Sequence, residues 1–199
     1  MRRSKYFAIS AVLLLCGLLF ACSAGLMGTK IELKTYSPLL SKSLSVYKGK
    51  KIYLMNFDNQ AQNTTIWYYY SPDKKFAYGG DSTVHNYFWY SFQKALLNLG
   101  MEVSNVDRQD PKAPAMWMTL KSITDNRFES EVNLLKFDNP FFTKTYSVAA
   151  EPLGEAQRTP EDLEKRAYNM TNKLIETILD DPDFKNAYFK AAAEMAAKP

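Results

Sequence analysis

The sequence predicts a single α+β domain, with a mixed or mainly antiparallel sheet packed by two or three helices, behind a cleaved N-terminal signal helix. Short apolar runs of strand character, separated by turn residues, alternate with longer segments whose apolar residues recur at helical spacing. The chain of 199 residues is 46% hydrophobic and 23% charged, which is typical of a globular protein and excludes a disordered chain or a multi-span membrane protein.

The first 21 residues have the pattern of an export signal. Residues 1–5 contain Arg2, Arg3 and Lys5, and residues 7–21 then contain no charged residue. As a helix this uncharged run spans only about 22 Å, which is short of the roughly 30 Å hydrocarbon core that a transmembrane helix crosses. We therefore predict a cleaved signal peptide over residues 1–21 rather than a membrane span.

The end of this segment, Leu19-Phe20-Ala21-Cys22, resembles the lipobox of bacterial lipoproteins. The resemblance implies cleavage before Cys22 and fatty acylation of that residue, which gives a stable membrane anchor. Because Cys16 leaves with the signal, Cys22 is predicted to be the unpaired thiol of the mature chain, and lipidation explains it. Ser23 is not the Asp that holds many such lipoproteins in the inner membrane, so the resemblance implies the periplasmic face of the outer membrane. The alternative is an ordinary cleaved signal with a chance cysteine.

Residues 22–30 are predicted to be a lipidated tether, and residues 31–199 a single periplasmic domain. Residues 31–36 suggest a short strand and residues 52–57 a buried strand. A polar and aromatic insertion follows over residues 58–80. The first helix then begins at an N-cap of Asp81 or Ser82 and ends before Gly100. Its apolar stripe consists of Val84, Phe88, Phe92, Ala95, Leu96 and Leu99.

The second half is predicted to contain an antiparallel meander followed by two helices. Strand-like runs cover residues 101–106, 115–123, 127–137 and 141–149, and Asp125-Asn126 is a tight turn suited to a hairpin. Thr159-Pro160 opens a helix with a capping Thr and Pro at the first helical position. Asp181-Pro182 repeats this start signal for the last helix.

The layout as a whole looks like that of small outer-membrane lipoproteins of the YajG type. The likeness is carried by residues 56–58, 95–103 and 178–184, together with the lipobox, the short tether and the C-terminal helix. The layout is also similar to that of the auxiliary lipoproteins of lipid-transport systems. The resemblance implies an envelope protein with no activity that could be transferred to this chain.

The serine and histidine of the chain do not form a hydrolase motif. Gly80-Asp81-Ser82 is similar to the Gly-Asp-Ser block of lipid and sugar esterases, which take their base from a histidine near the C-terminus. Here the single histidine, His85, lies one helical turn after Ser82. We interpret Asp81 and Ser82 as helix-capping residues, because that mechanism lacks its base. One histidine also cannot found a zinc site.

The acidic clusters have structural explanations too. Glu129 and Glu131 lie about 7 Å apart on one strand face, a spacing compatible with an inverting glycosidase, but a solvated hairpin face explains them as well. Asp180, Asp181 and Asp183 lack the Gly and terminal Glu of a calcium loop and lie where helix caps favour acidic residues. We therefore predict no enzyme activity, no metal and no cofactor.

The remaining feature is an unusual density of aromatic residues over residues 67–90. Such residues bury area while keeping a hydrogen-bonding tip, which suits protein partners, sugars and lipid chains. We predict a partner-binding surface formed by Trp67, Tyr68, Tyr69, Tyr70 and Tyr78. The alternative is that the insertion is a lid or edge strand packed on the first helix, whose other faces carry Tyr87, Trp89 and Tyr90.

The function predicted from these features is that of a lipid-anchored accessory protein for an envelope assembly or transport partner. Without the signal, the basic and acidic residues nearly balance, so no nucleic-acid partner is predicted. A lipid- or glycan-binding module is the alternative and requires a closed apolar pocket. An envelope hydrolase comes third. The sequence leaves the oligomeric state open.

Overall fold

The computed structural model describes residues 28–34, 36–40, 42–105, 113–136, 139–154 and 157–197. The signal peptide predicted for residues 1–21 and the lipidation site at Cys22 lie outside these residues. Within the described ranges, no helix combines the length and apolar character that a bilayer span requires.

The predicted α+β class is confirmed, with two sheets and three α-helices among the described residues. The elements in chain order are β1 (Thr29–Leu33), a 3-10 helix (Lys42–Tyr47), β2 (Lys51–Leu54), β3 (Asp58–Asn59), β4 (Tyr69–Tyr70), β5 (Phe76–Gly80), α1 (Val84–Asn98), β6 (Glu102–Ser104), β7 (Ala115–Ile123), β8 (Arg127–Lys136), β9 (Asn139–Ala149), α2 (Pro160–Asp180) and α3 (Pro182–Ala196). Strand β1 begins at Thr29, inside the range predicted as tether.

The larger sheet is mixed and has the order β6-β2-β7-β8-β9, with β3 also paired to β7. The predicted antiparallel meander is confirmed for β7 and β8 and continues into β9, but it is wrong for its first run, β6, which pairs in parallel with β2. Strand β2 runs parallel to both β6 and β7. The strand pairing therefore changes from parallel to antiparallel at β7, in the middle of the sheet. The even-numbered residues of β8 form its fully buried face: Phe128, Ser130, Val132 and Leu134.

The predicted start signals of the last two helices are confirmed. The Thr159 hydroxyl accepts the N–H of Asp162 at the start of α2, and the Asp181 carboxylate accepts the N–H of Phe184 at the start of α3. Helix α1 differs from the prediction, because its N-cap is Thr83 rather than Asp81 or Ser82. The Thr83 side chain makes no capping hydrogen bond, and the N–H of Val84 at the first helical position donates to the carbonyl of Ile66 at 2.9 Å.

Helix α1 packs its predicted stripe into the core. Phe88 and Phe92 are almost fully buried, and the Phe88 ring meets the Phe128 ring of β8 edge-on at 5.3 Å. Tyr87 and Trp89 are buried as well, so the helix is covered on more than one side. It ends before Gly100, whose φ of 77° is the left-handed conformation that suits glycine after a helix.

The aromatic insertion contributes a second, smaller sheet of order β1-β5-β4. Strand β5 lies in its centre, parallel to β1 from the Thr29–Phe76 pair to the Leu33–Gly80 pair, and antiparallel to β4. Glycine is required at the end of β5, since a Cβ at Gly80 would lie 2.0 Å from the Leu33 carbonyl oxygen. The insertion therefore holds the start of the domain in place.

We predict that Phe88→Ala lowers the free energy of unfolding by about 3 to 5 kcal/mol, because truncation of this buried ring leaves a cavity against Phe128. The matched control is Leu97→Ala on the same helix, where the side chain is 50% exposed and the loss should stay within about 0.5 kcal/mol. Denaturant unfolding of both variants measures the difference. Equal losses would mean that α1 does not bury this face.

Candidate functional site

Tyr69 and Tyr78 are buried rather than exposed, so the exposure predicted for them is wrong. Each side chain is 1% exposed, and the two rings stack at 4.7 Å. They are a cross-strand pair of β4 and β5, which places both on the same face of the small sheet. That face packs on the larger sheet, where the Tyr69 ring meets Phe128 edge-on at 5.8 Å.

Trp67, Tyr68 and Tyr70 reach the surface to different extents. Tyr68 and Tyr70 are half-buried, whereas Trp67 is 50% exposed. The Tyr68 ring lies so close over the strand that a Cβ at Gly79 would be 2.5 Å from its Cδ1 atom. Of the predicted binding residues, Trp67 thus offers the largest free surface.

Trp67 belongs to a group of exposed side chains that sequence reasoning had only partly identified. We define the apolar patch as Ile66, Trp67 and Tyr90, which are 66%, 50% and 43% exposed. Ile66 was missed because it stands outside any periodic run. Tyr90 could have been assigned to the surface, since helical geometry places it roughly opposite Phe88 and Phe92 on α1.

The members of the apolar patch lie along the first two turns of α1. The main chain of Ile66 bonds to Val84, and Trp67 and Tyr90 each line a small crevice whose walls share Leu33, Ser82 and Tyr87. Each crevice has a volume of only about 10 Å³, far below the volume of an ordinary small-molecule pocket. Within the described part of the chain, the patch is thus an exposed surface whose two crevices are too small for a ligand.

The opposite end of the small sheet is the turn between β4 and β5, which is held by the Asp73 carboxylate. Asp73 Oδ1 accepts the Ser71 hydroxyl at 2.6 Å and the Lys75 N–H at 3.1 Å, and Oδ2 accepts Arg158 at 3.0 Å. The Ser71 bond, followed by those of Lys75 and Arg158, lowers the pKa of Asp73 to about 2. Lys74 takes the left-handed conformation at the apex, with φ at 56°.

Arg158 joins this turn to the rest of the domain. Its guanidinium group lies 4.7 Å from the centre of the Phe76 ring and 3.5 Å from the Asp125 carboxylate at the β7–β8 turn. The Tyr78 hydroxyl approaches the same carboxylate at 3.5 Å. Burial raises the pKa of Asp125, and the positive charges of Arg158 and Arg166 oppose that rise.

A larger groove lies between the end of β9, the segment after it and α2, with a volume of about 570 Å³. Leu153 and Met170 contribute apolar surface, and Lys165 and Lys173 contribute positive charge. Arg166 also lines the groove, but its guanidinium group donates to the main-chain carbonyls of residues 125, 150 and 151. The groove is large enough for a small ligand.

Several of the polar residues considered for catalysis or metal binding have structural partners. His85 lies 3.3 Å from the Thr83 hydroxyl, and Arg127 pairs with Glu129 at 2.7 Å. Lys144 pairs with Asp181 at 3.0 Å and with Asp183 at 2.8 Å. Within the described part of the chain, no group of three or more His, Cys, Asp or Glu residues is placed to hold a metal ion.

No protein-family model and no curated protein matches the chain. Among solved structures, a Xanthomonas campestris protein of the DUF330 family is similar, with a TM-score of 0.52 and 11% identity over 80% of this chain and 99% of that chain. A Helicobacter pylori protein, described as a candidate homologue of a neuraminyllactose-binding hemagglutinin, gives a TM-score of 0.41 and 13% identity over 82% of this chain and 100% of that chain. The first likeness shows a shared fold with a bacterial protein. The resemblance to YajG-type lipoproteins stays a prediction.

We predict that Tyr69→Phe leaves stability unchanged or raises it, because the Tyr69 hydroxyl is buried and has no hydrogen-bond partner among the described residues. Tyr47→Phe is the matched control, since that equally buried hydroxyl donates to the Leu179 carbonyl at 2.8 Å. It should cost about 1 kcal/mol. Thermal unfolding compares the two variants, and a larger loss for Tyr69→Phe would contradict the assignment of the β4 side chains.

Proposed function

We propose that the protein is a lipid-anchored envelope protein that binds a partner protein through the apolar patch and catalyses no reaction. The observation that carries the proposal is the exposure of Ile66, Trp67 and Tyr90 around the start of α1, above crevices of only about 10 Å³. A small ligand needs a concave site, whereas a protein partner can cover a flat one. Trp and Tyr are also the residue types that contribute most to protein interfaces.

The proposed anchor is Cys22 on the periplasmic face of the outer membrane. It is supported by the lipobox-like sequence before it, the uncharged signal segment and the Ser at position 23. The described domain begins at residue 28, so the proposed tether is short. A short tether keeps the domain close to the membrane, where envelope assembly or transport partners are found.

The groove beside α2 supports a second candidate, a lipid- or glycan-binding module. Its volume of about 570 Å³, with apolar Leu153 and Met170 among charged side chains of both signs, suits a small amphiphilic ligand. The patch is the stronger site, because large exposed apolar side chains cost solvation until a partner covers them. The third candidate, a hydrolase, finds no support in the paired carboxylates or in the surroundings of His85.

The test is chemical crosslinking in cell envelopes, which compares the wild-type chain with the double variant Trp67→Ser/Tyr90→Ser. The melting temperature of each variant is measured first, because both side chains are about half buried against the domain and their loss must leave the fold intact. The affinity for the partner should fall at least about thirtyfold, because the variant loses two aromatic anchors of the interface. The measurement is the yield of crosslinked partner at matched expression.

The matched control is Leu39→Ser/Leu97→Ser, which removes two exposed apolar side chains outside the patch; these are 83% and 50% exposed. It should retain the partner. Equal crosslinking by wild type and the patch variant, or equal loss in both double variants, would refute the assignment of the binding surface.

A further inference from the structure

The chain enters the described domain directly on the turn between β4 and β5. The N–H of Thr29 donates to the Lys75 carbonyl at 2.7 Å. Gly28 has a φ of 104°, and a Cβ there would lie 2.5 Å from the Lys75 carbonyl carbon. Any side chain at position 28 would therefore be strained, and the entry point is fixed against this turn.

This entry point limits how far the turn can lie from the proposed anchor, and the inference rests on that anchor. Cys22 precedes Gly28 by six residues, and a chain spans at most about 3.5 Å per residue, so the separation is at most about 21 Å. The apolar patch lies toward the other end of β1, where Leu33 pairs with Gly80. At about 3.3 Å per residue, that end is about 13 Å farther along the strand.

The turn carries positive charge that no described residue neutralises. We define the lysine tip as Lys74 and Lys75, which are exposed and form no ion pair within the described ranges. The neighbouring carboxylate of Asp73 is already bound to Arg158 at 3.0 Å. The nearby Lys30 is paired with Glu32 at 3.6 Å. The charges left over at this end of the small sheet are therefore both positive.

Hydrogen bonds hold the main chain of the turn in one shape, so that the two lysine side chains leave from a fixed apex. The Lys74 N–H donates to the Ser71 carbonyl at 2.9 Å, and the Lys75 N–H donates to Asp73. The turn is tied to α2's N-terminal segment through Arg158. Holding two lysines at an apex avoids much of the ordering cost that a mobile loop would incur on binding.

We propose that the lysine tip contacts the anionic headgroups of the anchoring membrane, so that the turn faces the bilayer and the apolar patch faces away from it. A lysine close to an anionic lipid surface strengthens binding by about fivefold, and two by about thirtyfold, at low salt. The attraction is screened as ionic strength rises. The acyl anchor holds the protein at the membrane, and the lysine tip sets its orientation.

The test uses the mature chain with a single acyl chain coupled to Cys22, because two lysines alone would bind vesicles too weakly to detect, whereas one acyl chain leaves binding reversible. Co-sedimentation compares two kinds of vesicle. One is pure phosphatidylcholine, and the other contains roughly one anionic phosphatidylglycerol in three lipids. Lys74→Gln/Lys75→Gln should reduce binding to the anionic vesicles by about thirtyfold. Binding should also fall with added salt.

The matched control is Lys48→Gln/Lys50→Gln, which changes the net charge equally. Both lysines are exposed and directly precede β2, which pairs with the start of β7. The lysine tip lies near the other end of β7, because Arg158 links its neighbour Asp73 to Asp125. The two lysine pairs are therefore far apart on the domain. The control should bind within about twofold of the parent. Wild-type binding by the tip variant, or equal loss in both variants, overturns the proposal.

Two further arms separate the remaining explanations. Inorganic phosphate at constant ionic strength should leave vesicle binding unchanged, and abolition of binding would indicate a phosphate site and overturn the membrane assignment. Fatty-acid labelling of the chain with Cys22 intact, against Cys22→Ser, tests the anchor itself. If Cys22 is labelled but the lysine-tip variant binds anionic vesicles as well as the parent, this inference alone is refuted. If Cys22 is not labelled, the proposed anchor is refuted.

Discussion

The parallel pairing of β1 with β5 is the contact on which the arrangement of the molecule depends. It joins the first described residues to a segment more than forty positions later, from the Thr29–Phe76 pair to the Leu33–Gly80 pair. The close approach is possible because Gly28 and Gly80 have no side chain. A Cβ at either position would clash with the opposing main chain. One strand pair therefore fixes where the chain enters, where the lysine tip lies and where the apolar patch lies.

The rest of the core holds this small sheet in position. Tyr69 and Tyr78 stack on each other at 4.7 Å, and Phe128 links them to Phe88 of α1. On the other side, Tyr36, which follows β1, stacks on Tyr168 of α2 at 4.5 Å. The small sheet is thus held between the meander and two helices, and its two ends cannot move independently of the domain.

The polar contacts of the turn act in the same direction and have a defined pH range. The low pKa of Asp73, caused first by the Ser71 hydroxyl, means that its contribution to stability is present above the ordinary carboxyl pKa of about 3.9. That contribution is lost as the pH falls from about 4 toward about 2. At neutral pH the Asp73 contacts therefore hold the turn in shape.

Local signals predicted the helices and the meander, but the position of the small sheet depends on contacts that local signals do not encode. The capping residues Thr159 and Asp181 act on N–H groups three residues away, so the sequence contains the whole interaction. The partner of β5 lies far away in the sequence, and consecutive tyrosines do not indicate which ring is buried. The predicted exposure of Tyr69 and Tyr78 was wrong for this reason. The predicted lipidation of Cys22 lies outside the described residues and stays a prediction.

The two ends of the small sheet are proposed to have different neighbours, membrane at one end and protein at the other. The most direct measurement is photo-crosslinking in intact cells, with a photoreactive amino acid placed at position 67 or at position 75 of the chain that retains Cys22. The account predicts protein adducts from position 67 and lipid adducts from position 75. Lipid adducts from position 67 with protein adducts from position 75, or the same adducts from both, would contradict it.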